Sequence, residues 1–157
     1  RGAGMRFLKI GKENGGKGRC GRLRVCERIT TWRIFMDDIR QITNCVRQTA
    51  YETHVYFKHG FLEKVYENAL ANRLRKQGLT VQQQITLPVR DEDGTLVGNY
   101  IGDLIVNHAL LIELKACRGL DDTHTAQVLA YLKSTGIRHA LLMNFGTSVF
   151  QVKKYIL

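Results

Sequence analysis

The sequence predicts a small α/β domain whose elements run helix, helix, three strands, helix, two strands. Three observations carry that expectation. Apolar residues recur at three- and four-residue steps in two successive segments ahead of Gly78. Three extended segments with short connectors follow. One capped helical segment then separates the third of them from two more extended runs.

In the first segment, Asp37 to Phe57, the residues Ile39, Ile42, Val46, Thr49, Thr53 and Tyr56 form one stripe, opened by an acidic turn and closed before Gly60. In "GFLEKVYENALANRLRKQG" the stripe is Leu62, Tyr66, Leu70 and Leu74, flanked by Phe61, Val65 and Ala69, and Gly78 ends it. "TVQQQITLPV", "TLVGNYIGDLIV" and "ALLIELKAC" are the three extended runs, and their connectors "DEDG" and "NH" suit antiparallel neighbours. "DDTHTAQVLAYLKSTG" has Asp at its start and Gly136 at its end, as a capped helix should. "HALLMNFG" and "VFQVKKYIL" complete the chain as strands.

Ahead of these elements, residues 1–35 hold seven of the fifteen glycines and ten Lys/Arg against Glu13 and Glu27, a net charge of +8. Residues 36–157 carry +2. The first part reads as a flexible basic tail ahead of the folded domain, 36–157, and Met36 is expected to be the natural start, which would make the tail non-native. Gly11, Gly16 and Lys17 have the spacing of a phosphate-cradling loop, but Gly18 stands where a magnesium-binding Ser/Thr belongs, so no nucleotide site is expected. Cys20, Cys26, Cys45 and Cys117 include no C-x-x-C pair and read as reduced thiols. No apolar run is long enough for a membrane span and no secretory signal opens the chain, so a soluble, cytoplasmic protein is expected.

Within "LLIELKAC", Glu113 and Lys115 lie two apart and share one face of a strand whose other face is Leu110, Ile112, Leu114 and Ala116. Asp103 interrupts the preceding apolar strand. A lone buried carboxylate needs hydrogen bonds, a counter-charge or a metal, and two of them on adjacent strands make a shared cation attractive. Mg2+ takes hard oxygen ligands and leaves positions for phosphate. Lys115 could then orient or deprotonate an attacking water and counter the charge on a phosphorane. The other reading of Glu113 and Lys115 is a structural ion pair at a strand end. Register separates the two. A two-residue loop, Asn107-His108, would set Asp103 opposite Ile112 and on the wrong face, whereas a three-residue connection, Asn107 to Ala109, sets it opposite Glu113.

Asp103 followed after ten residues by Glu113-Leu114-Lys115 resembles the PD-(D/E)XK nuclease signature, and the order of elements resembles that superfamily's restriction-endonuclease-like core. "GFLEKVYE" resembles the G-x-x-E-x-x-Y motif of the GxxExxY protein family, as do "IELKA", "THTAQVLAYLKSTG" and "LLMNFG" in the same order. The likeness covers residues 37 to 157. It implies a mixed central sheet flanked by helices, with Asp103, Glu113 and the Leu114 carbonyl as metal ligands, Lys115 as a catalytic residue and Glu63 as a further metal carboxylate. Glu63 could instead be a solvent-facing helix residue, and Glu67 reads as surface or outer-sphere. Gln127 and Tyr131 share a helix face with His124 one turn earlier. The resemblance puts Gln127 among the catalytic residues and His124 and Tyr131 against substrate, although His124 also suits a helix terminus and Tyr131 a core. The family's PD dipeptide is Gly102-Asp103 here, and Ile101 stands where a basic residue is expected.

The function expected is Mg2+-dependent hydrolysis of phosphodiester bonds in DNA, or RNA, with Mn2+ as a substitute ion. Alternatives are a noncatalytic nucleic-acid-binding module and a protein-interaction adaptor. A core charge of +2 gives little pull on a polyanion, so a homodimer or protein partner could supply binding surface.

Overall fold

The structure is a computed structural model that describes residues 38–157. The expectations for the tail, the Met36 start, the phosphate-loop lookalike and Cys20 and Cys26 lie outside those residues.

Helix α1 (Ile39–Phe57) begins at Asp38, whose carboxylate accepts a hydrogen bond from the Arg40 N–H at 2.9 Å. Its inner face is Ile42, Val46 and Ala50 with three buried threonines. Those hydroxyls donate to carbonyls one turn back, Thr43 to Ile39, Thr49 to Cys45 and Thr53 to Thr49, so no polar atom is stranded. Tyr56 leaves the expected stripe: it is 72% exposed, and the Arg73 guanidinium lies 5.3 Å from its ring centroid.

Helix α2 (Glu63–Lys76) buries Tyr66, Leu70 and Leu74 as the periodicity requires. The flank that turns inward is Glu67 and Ala71, one position after the stripe, rather than Val65 and Ala69. Leu62 is exposed because the helix starts one residue later and Leu62 holds extended backbone.

Strands β1 (Val81–Arg90), β2 (Leu96–Val106), β3 (Leu110–Lys115), β4 (His139–Asn144) and β5 (Gln151–Ile156) lie in that order across one mixed sheet. All neighbours are antiparallel except β3 and β4, which are parallel and joined through helix α3 (Asp122–Thr135). A parallel pair needs such a crossover. One core lies between the sheet and α1 and α2, built from Ile42, Tyr66, Leu70, Leu104 and Leu114 among others. A smaller one, with Leu87, Leu111, Val128 and Leu142, lies under α3. No described helix is long and apolar enough to cross a membrane.

Asn144, fully buried, ties together the ends of the central strands. Its Oδ1 accepts from the N–H groups of Cys117 and Gly146, and its Nδ2 donates to the Cys117 carbonyl and to Gln151. Gly146 passes so close that a Cβ there would overlap the backbone of Ala116 and Cys117. Backbone cannot rotate away as a side chain can. Gly146→Ala is therefore expected to destabilise the protein by about 1–3 kcal/mol in urea unfolding, more than an exposed Gly119→Ala.

Candidate metal centre

β2 and β3 are joined by the three residues Asn107, His108 and Ala109, the connection that register demands for a shared site. Asn107 and His108 both hold left-handed backbone, with φ of 49° and 55°. The turn is pinned by Ala109 N–H to the Val106 carbonyl at 3.0 Å and by reciprocal bonds between Asn107 and Thr80. Val106↔Leu110, Ile105↔Leu111 and Leu104↔Ile112 pair in sequence. The next step along that register brings Asp103 to Glu113.

There the backbone ladder stops and side-chain chemistry replaces it. Asp103 Oδ2 accepts from the Leu114 N–H at 2.8 Å. In the parallel ladder with β4, alternate residues of β3 point toward β4, and the Lys115 carbonyl accepts from Phe145 N–H at 2.8 Å. Leu114 therefore directs its carbonyl, like its N–H, toward β2 and Asp103. Glu113 is 3% exposed; its Oε1 accepts from Lys115 Nζ at 2.7 Å, while its Oε2 is buried with no hydrogen-bond partner.

Burial, and next the charge of Asp103, push the Glu113 carboxyl up to about 7. Burial also raises Asp103, against the Leu114 N–H and Lys115. For Lys115, burial opposes the charged form, but its bond to Glu113 and the charges of Glu113, Glu63 and Asp103 outweigh it, leaving the ammonium above its usual range.

Glu63 reaches this cluster from the other side of the sheet. Gly60, at φ +112°, and Lys58 turn the chain between α1 and α2. Fully buried Tyr66 holds that turn: its hydroxyl donates to the Lys58 carbonyl at 2.8 Å and accepts from Phe61 N–H at 3.2 Å. Its ring stacks on Phe145, centroids 4.8 Å apart, just beyond β4. Glu63 thus opens α2 beside the end of β3, where burial raises its carboxyl while Lys115 opposes the rise. Glycine, glutamate and tyrosine in "GFLEKVY" have one task each: turn, carboxylate, staple.

From the opposite face, α3 brings Gln127 and Tyr131. The Gln127 amide donates to the Tyr131 hydroxyl, and burial raises that phenol, with Glu113, Lys115 and Asp103 near enough to act on it. Tyr131 is buried with its ring 5.2 Å from that of Tyr100. His124 stands one turn earlier in a reciprocal cap: Asp121 Oδ1 accepts from the His124 N–H, and His124 Nδ1 accepts from the Asp121 N–H at 3.2 Å.

The sequence leaves Glu67 between surface and outer sphere, and the structure removes the first option. Glu67 is 2% exposed, bonded by Lys64 at 2.8 Å and by the Nε2 atoms of Gln83 and Gln84. Gln84 Nε2 lies also 3.3 Å from Asp103 Oδ1. Neither glutamine was distinguishable in "VQQQI".

Among the described residues no group of three or more His, Cys, Asp or Glu side chains is placed to hold a metal ion by itself. The donors that neighbour one another, Asp103 and Glu113 with the Leu114 carbonyl, are oxygens, and one of them, Glu113 Oε2, is buried and unmatched. That set fits a hard cation that keeps part of its water, as Mg2+ does.

A raised Glu113 has a signed consequence. The folded state holds the proton more tightly than the unfolded chain, so this stability is present below the ordinary carboxylate range and is lost as pH rises through about 7. Without divalent ions, the stability of Glu113→Gln relative to wild type should improve between about pH 5 and pH 8, by on the order of 2 kcal/mol in urea unfolding. An equal difference at both pH values would show that Glu113 is not the titrating group.

A family model described as the PD-(D/E)XK nuclease superfamily matches residues 40–155. No curated protein and no solved structure matches the chain. Since the matched stretch runs from the first turn of α1 into β5 and takes in every described element, the chain belongs to the PD-(D/E)XK nuclease superfamily.

Proposed function

We propose that this domain, residues 36–157, is a Mg2+-dependent nuclease that hydrolyses phosphodiester bonds of DNA, or alternatively RNA, with Mn2+ able to substitute. The observation that carries the reading is the buried, unpartnered Oε2 of Glu113, set beside Asp103 and Lys115. Leaving a buried carboxylate oxygen unmatched costs about 1–3 kcal/mol or more, which a cation would recover. Asp103, Glu113 and the Leu114 carbonyl would hold it, with Glu63 contributing directly or through water. Once bound, such an ion polarises a phosphoryl oxygen and offsets the charge that grows there.

Lys115, held charged by three carboxylates, is a poor proton acceptor near neutral pH. It suits orienting the attacking water and stabilising negative charge. Gln127 and Tyr131 close the α3 side, where substrate would pass. A phosphate contact from His124 would run through Nε2, since Nδ1 serves the cap, at a helix N-terminus whose dipole favours anions. Gly60, Glu63 and Tyr66 support the narrower assignment to the GxxExxY proteins.

The small charge of residues 36–157 favours a second reading, a noncatalytic module that binds nucleic acid weakly or through a partner or second copy. Mg2+ or Mn2+ at about one hundred times its Kd should stabilise the wild type by about 2.7 kcal/mol and leave Asp103→Asn unmoved in thermal unfolding. Plasmid nicking or single-strand cleavage should fall at least about 100-fold in both Glu113→Ala and Lys115→Ala. Salt-sensitive binding without cleavage would establish the module instead, and neither binding nor a metal shift would leave an adaptor.

A further inference from the structure

Val81 and Leu87 lie six residues apart on β1, so a regular strand would turn both to one face. They sit in opposite cores, Val81 with Leu104 and Val106 under α1 and α2, Leu87 with Leu111 and Val128 under α3. β2 changes sides at the same level. Leu104 belongs to the first core, whereas a Cβ added to Gly102, two residues away, would meet Leu87 and Leu111 of the second. The register survives this inversion, since Gln83↔Leu104 and Ile85↔Gly102 bracket it. Gln84 and Asp103 are left facing each other at the pivot.

At that pivot Gln84 has φ +52°, a left-handed conformation that non-glycine strand residues rarely adopt and that surrounding contacts must enforce. Its effect is specific. Consecutive strand residues ordinarily point to opposite faces, yet Gln83 Nε2 reaches Glu67 Oε1 at 2.9 Å and Gln84 Nε2 reaches Glu67 Oε2 at 2.8 Å. The same Gln84 nitrogen approaches Asp103 Oδ1 at 3.3 Å, so its two hydrogens serve two carboxylates. A flipped amide would set its oxygen between two anions, which fixes the orientation. Asp103 is thereby held at both oxygens, firmly at Oδ2 by the Leu114 N–H and loosely at Oδ1.

We infer that Gln84, clamped by buried Glu67, is a positioning residue that sets the rotation of the Asp103 carboxylate for a divalent cation. The inference rests on the metal reading above. The long Oδ1 contact restrains the carboxylate while leaving that oxygen lone-pair capacity for the ion, which is how outer-sphere groups tune affinity. An ion pair between exposed Lys64 and buried Glu67 that served folding alone would not need an amide in left-handed backbone reaching Asp103.

The test is Mn2+ titration of the full 157-residue chain, with free Mn2+ followed by electron paramagnetic resonance. Gln84→Gly removes the amide and accommodates the backbone; Gln84→Asn keeps an amide too short to bridge and also tolerates positive φ. Both are expected to bind Mn2+ about 10- to 100-fold more weakly than wild type while melting alongside it in EDTA. Equal Mn2+ affinity in wild type and variants overturns the positioning role and leaves the metal site standing. A wild type that binds no Mn2+ overturns the metal reading and this inference together. Should neither variant fold, Glu67→Gln, which keeps the shape but loses the charge that clamps Gln84, is expected to weaken Mn2+ binding, and unchanged affinity there overturns the role.

Discussion

A carboxylate at the centre of a sheet, with one oxygen unmatched, is the constraint around which this fold is arranged. Glu113 lies on β3, the middle strand of the five, and is almost wholly buried. Charge in that position is tolerable only with compensation close by. Lys115 supplies part of it from the same strand face, and Asp103, though it adds charge, arrives already engaged by Leu114 N–H. The three-residue turn before Leu110 matters for this reason: one residue fewer would send Asp103 to the wrong face.

The sheet changes character at the same place. β3 is antiparallel to β2 but parallel to β4, and the ladder with β2 ends where Asp103 takes over the Leu114 N–H. Ends of parallel strands at such a switch leave a crevice that neighbouring elements can furnish. Tyr66 and Phe145 bring the start of α2 to one side of these strand ends, and α3 packs on the other with Gln127 and Tyr131. Asn144 holds the far end of β3 against the loops that follow β4, so the strand carrying Glu113 and Lys115 has little freedom to drift. Precision in the side chains comes from rigidity in the strands below them.

Much of this was legible in the residues. Apolar steps of three and four, Asp121 at one end and Gly136 at the other, marked the helices, because helical spacing and end chemistry are properties of a single segment. Strand parity is countable too, and it requires a three-residue turn if Asp103 is to face Glu113. Glu67 was harder. It adjoins the stripe of α2, and nothing local tells whether the inward flank is Glu67 and Ala71 or Val65 and Ala69. Tyr56 shows the converse: it fits the periodicity of α1 but lies exposed against Arg73, while the next residue, Phe57, packs on the core.

What the chain encodes locally, then, is the succession of elements and the parity that allows Asp103 and Glu113 to meet. Contacts between distant segments decided the rest: Glu67 became interior, Glu113 was left with a bare oxygen, and one of three adjacent glutamines was twisted toward Asp103. The division has a physical basis. Periodicity and capping follow from backbone geometry within a few residues, whereas burial and charge environment depend on which other surface arrives, and that surface is chosen by the packing of the whole sheet and its helices.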